Sequence, residues 1–200
     1  MITLPSIILA SASPRRAEIL RTAGWPFAAF PVDIDESRRP AEDAISYVER
    51  LAREKAEAAA ARSEGSMIVA ADTTVTIDQH ILEKPAGEKD AVRMLQLLNN
   101  RWHTVLTGLA LFDRRQSKTI IAHEATEVKF AAISDEEIQW YVATGEPMDK
   151  AGGYAIQGLG ARLIEEIRGD YFNIVGLPLR LLYELIRAND DRRQSLEGRP

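Results

Sequence analysis

Ser11-Ala12-Ser13-Pro14-Arg15-Arg16 gathers two hydroxyls and two guanidinium groups at one point of the chain. Ser13 can cap a helix whose first position is Pro14, a residue with no N–H to leave unpaired. A helix opening there offers free backbone donors, the positive end of its dipole and two arginines, the combination that attracts a phosphate-bearing ligand. Asp72 follows the apolar run Met67-Ile68-Val69-Ala70-Ala71. At the end of a strand, a carboxylate can ligate a hard cation or hold a water for attack. Lys55 and Lys84 add positive charge, and Glu36 adds a second carboxylate in the acidic turn Asp33-Ile34-Asp35-Glu36. A polyphosphate needs both kinds of group: cations to neutralise its oxygens, and carboxylates to hold magnesium or manganese against them.

The elements that must position these groups can be read from pattern. A buried strand over Ile7-Ile8-Leu9-Ala10 leads into the Pro14 helix, which Gly24 closes. Phe27 to Val32 reads as extended, and Pro40 opens a long helix to about Arg62. In that helix Ile45, Val48, Ala52 and Lys55 share one face, so Lys55 either snorkels to water or points into a polar cavity. Met67 to Ile77 reads as a strand and Glu88 to Leu98 as a helix. Trp102–Phe112 and Lys118–Ala131 read as a long hairpin turning near Asp113-Arg114-Arg115-Gln116. Ser134 and Glu137 form a capping box for a helix that buries Ile138, Tyr141 and Val142. A glycine-dense loop, Asp149 to Gly160, precedes a strand near Arg162–Ile167 and a last helix over about Leu177–Ala188. The chain thus reads as one domain over residues 1–188, with a polar, flexible tail over 189–200.

Composition narrows the function classes. Of 200 residues, 46% are hydrophobic and 28% charged, the balance of a soluble domain with a real core. The formal net charge of −5 and the lack of a basic face interleaved with aromatics argue against nucleic-acid binding. The absence of cysteine removes thiol catalysis and thiolate metal sites and fits a cytoplasmic setting. No apolar stretch approaches the roughly 20 residues that span a bilayer, so no signal peptide or membrane anchor is expected. His80, His103 and His123 lack ligand spacing and read as core, surface or strand-edge residues. No Gly-x-x-x-x-Gly-Lys-Ser/Thr run is present, which argues against a P-loop nucleotidase.

Taken in order, Leu9-Ala10-Ser11-Ala12-Ser13-Pro14-Arg15-Arg16, Leu51-Ala52-Arg53-Glu54-Lys55-Ala56, Ala71-Asp72-Thr73 and Leu82-Glu83-Lys84-Pro85 resemble the Maf family of nucleoside triphosphate pyrophosphatases. Glu146-Pro147-Met148-Asp149-Lys150-Ala151-Gly152, Tyr154-Ala155-Ile156-Gln157-Gly158 and Val175-Gly176-Leu177-Pro178 continue the likeness, which runs from Ile7 to about Tyr183. It implies an α/β fold like that of the inosine-triphosphate pyrophosphatases, a long mixed sheet with flanking helices and two lobes around a cleft. It implies hydrolysis of a nucleoside triphosphate to the monophosphate and pyrophosphate, a divalent cation, Mg2+ or Mn2+, and a homodimer. Asp72 matches the family's catalytic base. Ser11, Arg15, Arg16, Lys55 and Lys84 match its phosphate contacts, and Glu36 with Asp72 its metal ligands. Asp35 stands where relatives often carry Glu. Arg15, Thr73 and Gln157 match the set that separates branches, and the combination resembles the branch acting on dTTP and UTP. The alternatives are a nucleotide-sensing regulator of septum formation without turnover, and a pyrophosphatase for 7-methyl-GTP.

Overall fold

The computed structural model describes residues 4–197, with side chains as far as Asp191. Seven strands form one mixed sheet: β1 (Ile7–Leu9), β2 (Phe27–Ala29), β3 (Met67–Ile77), β4 (His80–Leu82), β5 (Trp102–Asp113), β6 (Lys118–Phe130) and β7 (Ile164–Arg168). Their order is β2-β1-β3-β5-β6-β7, with β4 turning back on β3. β1 pairs parallel with β2 and β3, while β3, β5 and β6 form an antiparallel run. The helices are α1 (Pro14–Thr22), α2 (Ala44–Ala60), α3 (Glu88–Leu98), α4 (Asp135–Ala143), α5 (Tyr171–Val175) and α6 (Leu179–Glu197). No described helix is long and apolar enough to cross a membrane.

Strand alternation divides the core. Met67, Val69 and Ala71 of β3 pack with Ile19 and Leu20 of α1 and with Leu182 and Ile186 of α6. Ile68 and Ala70 face the other way, onto Ala52, Ala56, Ala59 and Ala60 of α2. The far ends of β3, β5 and β6 carry a separate cluster with α3 and α4, built on Val75, Val105, Phe130, Leu95 and Tyr141. The long strands therefore run through two packed regions, each with its own helices, and the cleft lies between them.

Several expected boundaries move. The long helix starts at Ala44, not Pro40, because Asp43 caps it, accepting from Ser46 N at 2.9 Å. Ile45 lies outside the apolar stripe at 40% exposure, and the stripe runs instead through Tyr47, Val48, Leu51, Ala52, Lys55 and Ala56. Ser13 occupies the N-cap of α1 without a capping side-chain bond. The glycine-dense loop is a chain of short 3-10 turns over Glu146–Asp149, Ala151–Gly153 and Gly158–Leu163. The last helix continues past Ala188 to Glu197, anchored where buried Asn189 donates to Asp113 Oδ2 at 2.7 Å. Of the expected flexible tail, residues 198–200 lie outside the described residues.

Candidate active site

Asp72 does not sit at a strand end but inside β3, opposite Gly108 of β5. What exposes it is the neighbouring edge. β1 pairs with β3 only as far as Val69, and β4 joins only at Val75. Between them, residues 70–74 of β3 have a strand on one side only, and the cleft opens into that gap. Successive residues of a strand point to opposite faces. Asp72 thus follows Ile68 and Ala70 toward α2, while Thr73 points toward α1 and α5.

On the α2 side, Lys55 is 8% exposed and does not snorkel. Its Nζ lies 2.7 Å from Asp72 Oδ1 and 2.5 Å from Glu36 Oε1. Gly108 makes this approach possible: a Cβ there would sit 2.3 Å from the Val48 carbonyl oxygen, so only glycine lets α2 lie this close to the sheet. Glu36 arrives from the irregular segment ahead of α2. Arg50 holds that segment, its Nε 2.6 Å from Glu42 Oε1 and its Nη2 donating to the Ser37 carbonyl at 3.1 Å. The Arg50 hydrogen bond carries the Glu42 pKa down to about 2. Burial pushes the Glu36 pKa up, but the hydrogen bond and charge of Lys55 outweigh it, leaving the carboxyl below its ordinary value.

On the α1 side, Arg16 is held by neutral acceptors: Nε donates to the Gly176 carbonyl at 2.7 Å, Nη1 to Ser11 Oγ at 3.2 Å and Nη2 to Thr73 Oγ1 at 3.2 Å. Among the described residues no carboxylate touches it. Burial lowers its pKa, with the nearby charges of Asp72 and Arg15 acting in opposite senses. A guanidinium has five N–H donors, so those left over can take an anion. Ser11 Oγ also accepts from Ser13 N at 3.1 Å, replacing the expected Ser13 cap and leaving its own O–H free to donate.

The rim is different in kind. Arg15 meets Asp149 of the opposite wall at 3.2 Å, and Lys84 Nζ lies 3.9 Å from Glu36 Oε2 with 65% of its side chain exposed. Gln157 is exposed on the glycine-rich wall and makes no side-chain hydrogen bond within the described chain. Its turn is fixed from behind by Glu146, which accepts from Leu159 N at 3.0 Å and Gly160 N at 2.9 Å. Gly158 is favoured there because its φ of +84° is a backbone conformation that other side chains rarely adopt. Every residue singled out from the sequence, Ser11, Arg15, Arg16, Glu36, Lys55, Asp72, Thr73, Lys84 and Gln157, lines this one cleft of ≈ 610 Å³. Asp35 turns away and accepts from Ser37 N at 2.9 Å.

Tyr47 and Glu83 were not legible as site residues. Tyr47 lies two helical turns before Lys55 on the same face, and its hydroxyl is 2.5 Å from Glu83 Oε1 and 3.0 Å from the Glu36 carbonyl oxygen. Burial and the Glu83 carboxylate raise the Tyr47 pKa, keeping the phenol protonated. The four-residue spacing Tyr47, Leu51, Lys55 was the available signal.

The described residues contain no cluster of three or more His, Cys, Asp or Glu that would hold a metal by themselves. The donor set still suits a hard cation. Asp72 and Glu36 converge on one ammonium, and each keeps one oxygen that Lys55 does not take. Such a pair can share a cation whose remaining ligands are phosphate oxygens and water. His103 is buried against Tyr154 at 2.7 Å, and His123 lies 2.8 Å from Glu49 on an open strand.

The family model described as "Maf-like protein" matches residues 6–189. A protein of Koribacter versatilis named dTTP/UTP pyrophosphatase is 49% identical over 181 residues, 90% of this chain and 93% of its own length. A protein of the same name from Symbiobacterium thermophilum is 49% identical over 183 residues, 92% of this chain and 93% of its own. One from Geobacter sulfurreducens is 50% identical over 181 residues, covering 90% of this chain and 95% of that one.

Proposed function

We propose that this chain, which belongs to the Maf-like protein family, is a nucleotide pyrophosphatase that hydrolyses dTTP and UTP to the nucleoside monophosphate and pyrophosphate. The observation that carries the reading is the Arg16 guanidinium, fixed by neutral acceptors and facing a cleft that also holds an Asp72–Lys55–Glu36 cluster. The triphosphate lies along Arg16, the Ser11 hydroxyl, Lys55 and the rim cations Arg15 and Lys84. Lys55 occupies Asp72 Oδ1, so Oδ2 is the oxygen that accepts a proton from water as the water oxygen bonds to the α-phosphorus. The α–β anhydride bond breaks on the opposite side, and its electron pair leaves with pyrophosphate. The proton held on Asp72 then returns to solvent. A divalent cation held by Glu36 and Asp72 would neutralise phosphate charge and favour departure of the pyrophosphate. Arg15, Thr73 and Gln157 set base preference in this reading. The free amide of Gln157 both donates and accepts, matching the O4 and N3 edge of thymine or uracil. The proposal includes a homodimer, which light scattering on the purified protein tests, and a cytoplasmic location, which cell fractionation tests.

The experiment is pyrophosphate release from dTTP, UTP, ATP, GTP and 7-methyl-GTP with magnesium and with manganese. dTTP and UTP should lead by roughly fivefold to 150-fold in kcat/KM, because a wrong base edge leaves polar groups that the bound base covers unpaired, at about 1–3 kcal/mol. Gln157→Glu should erode that lead, since a carboxylate cannot donate to O4. Equal efficiency toward dTTP and GTP would remove the pyrimidine assignment. No release from any triphosphate would remove the enzyme.

A further inference from the structure

Thr73 and Thr107 are cross-strand partners on β3 and β5, and their hydroxyl oxygens are 2.9 Å apart. By itself that contact leaves open which oxygen donates. The next bond decides it. Thr107 Oγ1 also lies 3.1 Å from the carbonyl oxygen of Asn173 in α5, and both residues are 0% exposed. A carbonyl oxygen can only accept, and two oxygen lone pairs facing each other at that distance without water would repel. The single proton of Thr107 is therefore committed to Asn173. Thr107 must then accept from Thr73, which commits the proton of Thr73 as well. Toward the cleft Thr73 offers only lone pairs, and one of these takes Arg16 Nη2 at 3.2 Å.

We propose that Thr107 is a positioning residue for the phosphate site: by taking the Thr73 proton it fixes Thr73 as a pure acceptor, and that acceptor holds the Arg16 guanidinium toward the substrate. The same peptide segment closes the circuit, because the carbonyl of Gly176, three residues after Asn173, takes Arg16 Nε at 2.7 Å. Thr73 consequently has no proton to give a nucleobase, and can recognise a substrate only through an N–H or O–H of that substrate. The proposal rests on the reading of Arg16 as a phosphate contact.

The test is a double-mutant cycle read by calorimetric binding of inorganic pyrophosphate to the whole protein with magnesium. Thr73→Val and Thr107→Val each remove a hydroxyl at nearly constant shape. Each should weaken pyrophosphate binding about tenfold, the scale of one hydrogen bond to a charged group. The double variant should be no worse than either single one, because both break the same chain, and Thr107→Ser should bind as the wild type does. Wild-type affinity in Thr107→Val, losses that multiply in the double variant, or equal losses in Thr107→Ser and Thr107→Val would each overturn the proposal. Should Thr107→Val fail to fold, Thr107→Ala carries the same expectation. A wild type that binds pyrophosphate through this cycle yet releases none from any triphosphate would remove the pyrophosphatase reading and leave the role of Thr107 standing.

Discussion

Arg15 and Arg16 are adjacent, carry the same charge and open the same helix, yet they belong to two different parts of the site. Arg16 lies on the floor, bound to Gly176, Ser11 and Thr73, and no acidic group among the described residues touches it. Arg15 lies on the rim, where its partner Asp149 is 67% exposed and belongs to the facing wall. The floor is built on β3, β5, α2 and the start of α1, where Ser11, Lys55 and Asp72 are buried and hydrogen-bonded. The rim is built on turns and long side chains in water. A fixed charge in a partly dry cleft acts strongly on a developing charge. An exposed charge on a flexible stem contributes little and is screened. The floor should therefore set turnover and phosphate binding, and the rim should add a smaller, salt-dependent share of affinity and, together with Thr73, the choice of base.

The largest expected effect is on the floor. Asp72→Asn keeps the shape of the side chain and its acceptor for Lys55 but removes the base. A lost general base typically costs roughly 100- to 10,000-fold. kcat for dTTP should fall by that amount with the melting temperature nearly unchanged. Turnover near wild type would show that the floor does not supply the base.

Lys55→Ala should fail differently, because it damages folding as well as turnover. Removing the ammonium leaves the Asp72 and Glu36 carboxylates facing one another with no cation between them. Removing one partner of a buried ion pair costs about 3–5 kcal/mol, and the lower end applies here because Glu36 opens on the cleft. Chemical denaturation of the variant against wild type measures that loss. A variant as stable as wild type would return Lys55 to the solvated face of α2.

The floor was far more legible in the sequence than its geometry. Apolar patterning marked β3 and the stripe of α2, so Lys55 was recognised as the end of a buried face. Pattern put Asp72 inside the Met67–Ile77 strand but could not show that the strand edge beside it is open. That depends on β1 ending at Val69 and β4 starting at Val75, which is a property of strand pairing and not of local sequence. Nor could it show that Gly108, unremarkable inside a strand, sets the spacing between α2 and the sheet. The start of α2 was misplaced because Pro40 signals a helix opening as strongly as Asp43 does, and only the Asp43 carboxylate finds a helical N–H. The turns around Gln157 read only as a glycine-dense loop because their order comes from the Glu146 carboxylate, which takes backbone N–H groups across the loop.

Acid should separate the two regions. The wall that carries Gln157 begins at Tyr154, which is packed edge-on against Phe130 and bonded to His103 at 2.7 Å. Burial lowers the His103 pKa from 6.5 to about 4. The unfolded chain therefore binds a proton between those values that the folded chain refuses, so stability is complete above pH 6.5 and falls as pH drops toward 4. At 1.36 kcal/mol per pH unit the loss reaches about 3 kcal/mol. In His103→Phe, which cannot take the proton, the denaturation midpoint should change less across this window than in wild type. Equal acid sensitivity in the two proteins would assign the lability elsewhere.

The smallest effect belongs to Lys84. Its side chain is 65% exposed, and its one carboxylate neighbour, Glu36, is 3.9 Å away. An exposed pair of this kind contributes about 0–1 kcal/mol, so Lys84→Ala should leave the melting temperature where it is. Its charge still attracts a triphosphate across open solvent. KM for dTTP should rise by up to about fivefold at low ionic strength, the equivalent of about 1 kcal/mol, with kcat little changed. Screening then supplies the control. At physiological salt the Debye length is about 8 Å, and the difference between variant and wild type should shrink as salt increases further. The loss in Asp72→Asn should be nearly independent of salt, because it lies in the chemistry of the floor. If the KM of Lys84→Ala stays raised at high salt, Lys84 is gripping a phosphate oxygen directly, and it belongs with Arg16 and not with Arg15.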